Sequence, residues 1–297
     1  MIAGPRAKPP NLRNALRKEA PDHGTPSDPA EIALQLTGRS YISHSAISTY
    51  QTCLLRYFFT YIAQLPKESV SASLVFGGAI HSALEAHSHA VMVGESPPSA
   101  DELVAAYERA WQTETTSRVR FGKADSADSL GDLARRMLQA FVESPTARID
   151  GTILGIEEEL RAPIIPGCPD VLGRLDLLVL TENHLRVIDF KTSKSKWTAA
   201  KVEESTPPML LYTKLVRPIA EAYGDLPIRL EWVVLTKTKS PSVEVHTIDP
   251  DARQLARIKT VVRRVWDSIA AGHLYPSPSA QNCSTCPFRK ACQKWEG

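Results

Sequence analysis

Two short apolar runs flank the dipeptide Glu182-Asn183: VLGRLDLLVL before it and HLRVIDFKT after it. Both are rich in branched aliphatic residues and bounded by turn formers, so they read as two antiparallel strands joined by a two-residue turn. Asn183 would take the positive φ that asparagine tolerates. In that register Asp176 stands opposite Asp189, with Cβ atoms roughly 4.5–5.5 Å apart on one face. Lys191, two residues on, points to the same side. Two carboxylates so close repel unless a cation lies between them. A hard divalent ion, Mg2+ or Mn2+, held through carboxylates and water is one natural occupant. A neighbouring ammonium would then orient an attacking hydroxide or offset charge on a phosphate. The other reading of the same residues is a cross-strand pair at a solvated edge, with Lys191 as its partner.

The rest of the chain supplies the scaffold for that hairpin. Pro5, Pro9, Pro10, Pro21, Pro26 and Pro29 break any long element before residue 40, which predicts a partly disordered arm over 1–40. One short helix fits inside it, with Asp28 as N-cap, Pro29 first, Glu31 as capping-box acid and Gly38 as stop. Apolar residues at spacings of three and four predict helices over Ser45–Ala63 and Leu74–Met92. Two more follow over Ala100–Glu143, joined by a polar loop at Gly122–Asp128. TILGIEEELRAPI precedes the hairpin as a further strand. A helix follows it over Lys196–Tyr223, with Pro207 and Pro208 near its start or at a kink. RLEWVVLTKT and VEVHTI read as strands, Asp251–Ala271 as a last long helix, and Pro276–Gly297 as a cysteine-bearing loop. Helices, a strand cluster and a mixed ending predict an α/β or α+β fold around one central mixed sheet. Residues 41–297 form its single domain, with a helical insertion at 93–150.

Composition excludes little. Thirty-five Lys and Arg against thirty-three Asp and Glu give a formal charge of +2, which neither announces nor forbids a nucleic-acid partner. The N-terminal residues lack the apolar core of a signal peptide, and no run reaches transmembrane length. Five cysteines, an odd number, argue against a disulfide framework and for reduced thiols in a cytoplasmic protein with no membrane partner.

GRLDLL followed by IDFKT resembles the G-R-x-D … D-x-K signature of the RecB-like branch of the PD-(D/E)XK nucleases. The resemblance implies a restriction-endonuclease-like core in which Asp176 and Asp189 are metal ligands and Lys191 is the active-site lysine. The backbone carbonyl of Phe190 would be a further ligand. FGGAIHSALEAH resembles the family's G-x-x-x-H-x-x-L-E helix, with Gly77, His81, Leu84 and Glu85 at the matching places, and implies His81 as a metal-binding histidine. Glu157, in the Glu157–Glu159 run, matches an acidic position of the family; the alternative is a polar strand edge. Tyr212 matches the tyrosine of the family's Q-x-x-x-Y helix. Pro208 replaces the glutamine, which puts substrate or metal positioning through that side chain in doubt.

Cys283-x-x-Cys286 and Cys292 place three thiols in the tail, and C-x-x-C in a loop brings two sulfurs onto one metal. A fourth would come from Cys53 or Cys168. SHSAISTYQTCLLRYFF resembles the segment that supplies the first cluster cysteine in iron–sulfur members of the family, with Leu54 in place of a proline. By that resemblance, shared with AddB-type nuclease domains and CRISPR-associated adaptation exonucleases, Cys53, Cys283, Cys286 and Cys292 hold a 4Fe–4S cluster that ties the N- and C-terminal segments together. The same thiolates would also suit zinc. Cys168 reads as an ordinary thiol.

Lys194, Lys196 and Lys201, which follow the active-site strand, and Lys237 and Lys239, which flank another turn, are basic residues able to contact phosphates, and the Lys194–Lys201 stretch is the candidate substrate contact; the basic residues of the last helix read as a solvated face. The resemblance spans Ser43 to Cys292. It implies metal-dependent hydrolysis of DNA, single-stranded or at ends, in recombination, repair or defence. A catalytically inactive DNA-binding module of a larger complex is the alternative. No G-x-x-x-x-G-K-[ST] loop occurs, so any unwinding would come from a helicase partner.

Overall fold

The computed structural model describes residues 28–114 and 118–296. Most of the expected proline-rich arm lies outside the described residues. The chain divides into two compact units. Of the described residues, the larger comprises those within 68–162 and 173–259, and the smaller comprises 28–67, 163–172 and 260–296.

The smaller unit opens with α1 (Pro29–Thr37). Asp28 accepts the N–H of Ala30, Pro29 sits in the first turn where its missing N–H costs nothing, and Gly38 ends the helix at φ 73°. Glu31 departs from the predicted capping box: its carboxylate accepts from Gln35 Nε2 instead. The helix predicted over Ser45–Ala63 is three pieces. After β1 (Tyr41–Ser43) comes α2 (His44–Thr52), and Cys53 then breaks the helix in an extended conformation, φ −166° and ψ 118°. α3 (Leu54–Tyr57) follows, and Phe58–Ile62 forms a π-helical turn closed by the Ala63 N–H on the Phe58 carbonyl at 2.8 Å. The break is set by partners far away in the sequence. Leu55 N–H donates to the Tyr275 carbonyl at 3.0 Å, and Asn282 Nδ2 donates to the Thr52 carbonyl at 3.0 Å. The tail, predicted as a loop, contains α11 (Ala280–Ser284), capped by Ser279, and α12 (Arg289–Gln293).

The larger unit begins with β2 (Val70–Ser71) and α4 (Ala72–Met92), whose N-cap is Ser71. α5 (Ala100–Glu114), β3 (Val119–Arg120) and α6 (Ala127–Glu143) follow. The parallel pair β2–β3 is too short for sequence periodicity to reveal. β4 (Thr152–Ala162), β5 (Asp170–Leu180), β6 (Leu185–Ser193), β7 (Ile228–Thr236) and β8 (Val243–Ile248) build a mixed sheet. β5–β6 and β7–β8 are antiparallel, β6–β7 is parallel, and β4 pairs with β5. In the smaller unit, the first three residues of β5 pair in parallel with β1.

The helix predicted over Lys196–Tyr223 is α7 (Ala199–Ser205), α8 (Pro207–Leu215) and α9 (Arg217–Ala222). Each break falls where a proline can open a new first turn but cannot continue the old helix. α10 (Ala252–Ala270) starts in the larger unit and ends in the smaller. Phe76, Ile80 and Leu84 of α4 and Met137 and Phe141 of α6 are buried against the sheet face carrying Leu177, Ile188 and Val233. Each such side chain withdrawn from water stabilises the fold by about 1.5–3 kcal/mol before chain entropy is charged. The result is an α/β fold with a mixed sheet covered by helices.

Candidate active site

The ladder between β5 and β6 runs from Leu177↔Ile188 to Leu180↔Leu185, the register the sequence predicts. The turn is built differently. Asn183 is not in the positive-φ region. Thr181 N–H donates to the His184 carbonyl at 2.9 Å, and the Thr181 hydroxyl accepts the His184 N–H at 3.0 Å. A side-chain oxygen thus replaces one backbone acceptor, and the turn needs no left-handed residue.

Beyond Leu177 a carboxylate stands where a strand carbonyl would: Asp176 Oδ2 accepts the Phe190 N–H at 2.6 Å. The same oxygen lies 3.4 Å from His81 Nδ1 on α4. Glu157 reaches this point from β4 through a backbone at φ 49°, a strained region for a residue with a Cβ. Donor atoms of His81, Glu157 and Asp176 all lie within 4.8 Å of one another, the one such group of His, Cys, Asp or Glu side chains among the described residues that could hold a metal ion. Arg174 braces it, 3.8 Å from Glu157 and 2.7 Å from Glu159.

Asp189 is buried beside this trio, with 5% of its surface exposed. Lys191 donates to its Oδ2 in a short contact, and also to the Phe190 carbonyl at 3.2 Å. The expected ligands Asp189 and Phe190 are therefore both engaged by the expected lysine. Trp232, the β7 partner of Asp189, lies under that ammonium with its ring centroid 5.0 Å away.

Charge is crowded here. Burial alone would lower the His81 pKa, but its hydrogen bond to Asp176 and that residue's charge leave it above the usual histidine value. Asp176 feels burial too, yet the bond to His81 holds it below its usual value. Burial pushes Asp189 up against the pull of Lys191, and burial with the charge of Asp176 raises Glu157. Carboxyls forced upward in this way are those that an incoming cation would deprotonate. One imidazole and two carboxylates facing a common point fit a divalent ion such as Mg2+ or Mn2+.

Burial and then the carboxylates of Asp189, Asp176 and Glu157 hold the Tyr212 hydroxyl protonated well above its ordinary range. Pro208 occupies the first turn of α8, where a backbone N–H has no helical partner to lose, and Tyr212 on the next turn still faces the site. A Cβ on Gly173 would meet the Tyr212 ring at 2.7 Å, so that glycine lets β5 pass close beneath α8.

His81, Glu157, Asp176 and Lys191 line one cleft of about 740 Å3, together with Ser73, Arg174 and Lys237. Of the lysines expected to contact substrate, Lys196 pairs with Glu244 at 2.8 Å and Lys201 with Glu204 at 3.0 Å. Lys194 lies near Lys237, whose pKa it helps to lower. Arg174 stands inside the G-R-x-D run, but nothing in the sequence marks it as the brace of the acidic trio. Trp232 and the cleft position of Lys237 follow only from strand pairing and packing.

In the smaller unit, Cys53, Cys286 and Cys292 pack around Leu55, Phe59 and Phe288. Burial raises the Cys292 thiol, reinforced by Cys286, Cys53 and Cys283, so all four thiols share one neighbourhood. Ser277 N–H donates to Cys53 Sγ at 3.4 Å. No three of these sulfurs lie within 4.8 Å of one another. Cys168 is buried elsewhere in that unit, its thiol pushed up to about 11 by desolvation.

A crystal structure from Eubacterium rectale, named as a candidate exonuclease, superposes with a TM-score of 0.52 at 11% identity, covering 86% of this chain and 90% of its own. At that identity it shows a shared fold. SSO0001 aligns with 84% of this chain and 95% of its own at 13% identity and a TM-score of 0.34, too loosely to carry an argument. No curated protein matches the chain in sequence. The model of the PD-(D/E)XK nuclease superfamily matches residues 41–293, which include every residue of the cleft. A match of that extent, over a mixed sheet with its acidic residues and lysine gathered at one place, establishes that the chain belongs to the PD-(D/E)XK nuclease superfamily.

Proposed function

We propose that this chain is a divalent-metal-dependent deoxyribonuclease that hydrolyses phosphodiester bonds in single-stranded DNA or at DNA ends. The observation that carries the reading is the convergence of His81, Glu157 and Asp176 within 4.8 Å, beside Asp189 and Lys191. His81, Glu157 and Asp176 would hold Mg2+ or Mn2+, with Asp189 and the Phe190 carbonyl completing the set. The bound ion would supply a water acidified towards neutral pH and a charge to offset that of the phosphate.

The protein's own groups do the rest. Phe190 N–H and His81 fix the Asp176 carboxylate, which keeps it ionised. Lys191 keeps an ammonium beside the reacting phosphate, where negative charge grows during attack. Tyr212 remains a phenol and so serves as a hydrogen-bond donor, not a base. Lys194 stands as a further phosphate contact. Cys53, Cys283, Cys286 and Cys292 are proposed to hold a 4Fe–4S cluster. Zinc is the other ion that four such thiolates would hold.

The test is cleavage of end-labelled single-stranded DNA with Mn2+ by anaerobically purified protein, beside Asp189→Ala. Degradation by the wild type and at least a hundredfold slower cleavage by the variant is the expected result. Intact DNA with both folded proteins would leave a DNA-binding module of a larger complex as the reading.

A further inference from the structure

The cleft has an acidic end, which the metal reading explains, and a basic end at Lys237, which it does not. Lys237 follows β7, and its placement is built rather than incidental. Its N–H donates to the Ser193 carbonyl at 2.6 Å. The turn it opens is closed by the Ser242 N–H on the Thr236 hydroxyl at 2.9 Å and by the Thr238 hydroxyl on the Ser240 carbonyl at 2.6 Å. Arg136 on α6 donates to the Lys239 carbonyl at 3.1 Å.

From this anchored turn the side chain crosses the Phe76 ring, its ammonium 5.4 Å from the centroid, and reaches Ser73 Oγ at 3.3 Å. No carboxylate forms an ion pair with it among the described residues; Lys196 and Lys201 do have such partners. Burial and the charge of Lys194 pull its pKa down, and Asp125 opposes them only at a distance. An ammonium held half-buried with one hydroxyl partner keeps unused donors and a charge that no ion pair among the described residues neutralises.

We infer that Lys237, with Ser73, binds a backbone phosphate of the nucleic-acid strand next to the one that is cleaved, and so positions the strand along the cleft. The inference rests on the nuclease reading and adds to it the residue that sets substrate register. A phosphate suits the place: it is anionic, presents several acceptors, and reaches the cleft with the strand whose scissile group lies at Asp176. Neutralising one phosphate contributes about 0.7 to the slope of log affinity against log salt for a single strand and about 0.9 for B-DNA.

The experiment measures binding of a labelled single-stranded oligonucleotide in Ca2+, across salt concentrations, for wild type, Lys237→Met, Lys237→Arg and Lys214→Met. Methionine keeps the stem over Phe76 and loses the charge; Lys214 is an exposed residue outside the cleft lining. Lys237→Met is expected to bind roughly three- to fivefold more weakly near physiological salt, with the slope lower by about 0.7. Lys237→Arg should restore the slope, and Lys214→Met should match wild type. With Mn2+, KM should rise more than kcat falls. A wild-type slope in Lys237→Met, in protein that binds and cleaves DNA, overturns the inference and leaves the nuclease reading standing. Wild type that neither binds nor cleaves removes both. If Lys237→Met does not fold, Lys237→Gln takes its place under the same criterion.

Discussion

His87 and His81 lie less than two turns apart on α4 yet have opposite electrostatics. His81 is raised by Asp176. His87 has 1% of its surface exposed, sets its ring edge-on to Phe141 at 5.1 Å, and has no partner for Nδ1 among the described residues. Burial lowers its pKa, so it is a neutral core residue. As pH falls below the ordinary histidine value, the unfolded chain takes up a proton that the fold refuses, and stability drops. Above that value both states are neutral and the effect vanishes. The slope is at most about 1.4 kcal/mol per pH unit for one such group. Urea unfolding at pH 7 and pH 5 should therefore show a smaller acid-induced loss for His87→Leu than for wild type. Equal losses would mean that His87 is protonated in the fold. The sequence does not show this burial, because a histidine inside an apolar stripe gives no sign of which helix will cover it.

The elements explain why catalytic-type residues scattered over more than a hundred positions meet. α4 brings His81, β4 brings Glu157 on a left-handed kink, β5 brings Asp176, and β6 brings Asp189 and Lys191. α8 must come close enough to set Tyr212 among them, and Gly173 makes room for it. An alanine there would put a Cβ 2.7 Å from the Tyr212 ring and 2.6 Å from Leu215 Cδ1. Gly173→Ala should cost about 1–3 kcal/mol of stability by overpacking. It should also lower nuclease activity further than the loss of folded protein accounts for, since Tyr212 must shift. Denaturant midpoints measured with single-turnover rates would decide it, and an alanine variant with wild-type rates would show that Tyr212 only packs. The hairpin register was readable from two branched-aliphatic runs on either side of a two-residue connection, whereas the turn itself is closed by Thr181 and not by a positive-φ Asn183. The breaks within the helices expected over 45–63 and 196–223 were not, because each broken segment keeps the apolar spacing of an unbroken one.

At the scale of the whole molecule, Cys53 and the tail cysteines join parts of the sequence more than two hundred residues apart within the smaller unit. If they share a cluster, Cys283→Ser should lower the iron content of anaerobically purified protein and its melting temperature together. Loss of neither would leave packing around Leu55, Phe59 and Phe288 as the only tie. No helix among the described residues is long and apolar enough to cross a membrane, which agrees with the hydropathy of the chain. By itself the sequence determined the strand pair around Glu182-Asn183, the mixed sheet and the helix that carries His81, because the residue types that favour strands and helices are local properties of consecutive residues. Only the tertiary structure decided that a positive-φ backbone turns Glu157 towards His81 and Asp176, that Lys196 and Lys201 pair with Glu244 and Glu204, and that Lys237 enters the cleft. Those outcomes depend on which distant side chains share a position in space, and electrostatic partners across a fold leave no periodic trace in the chain.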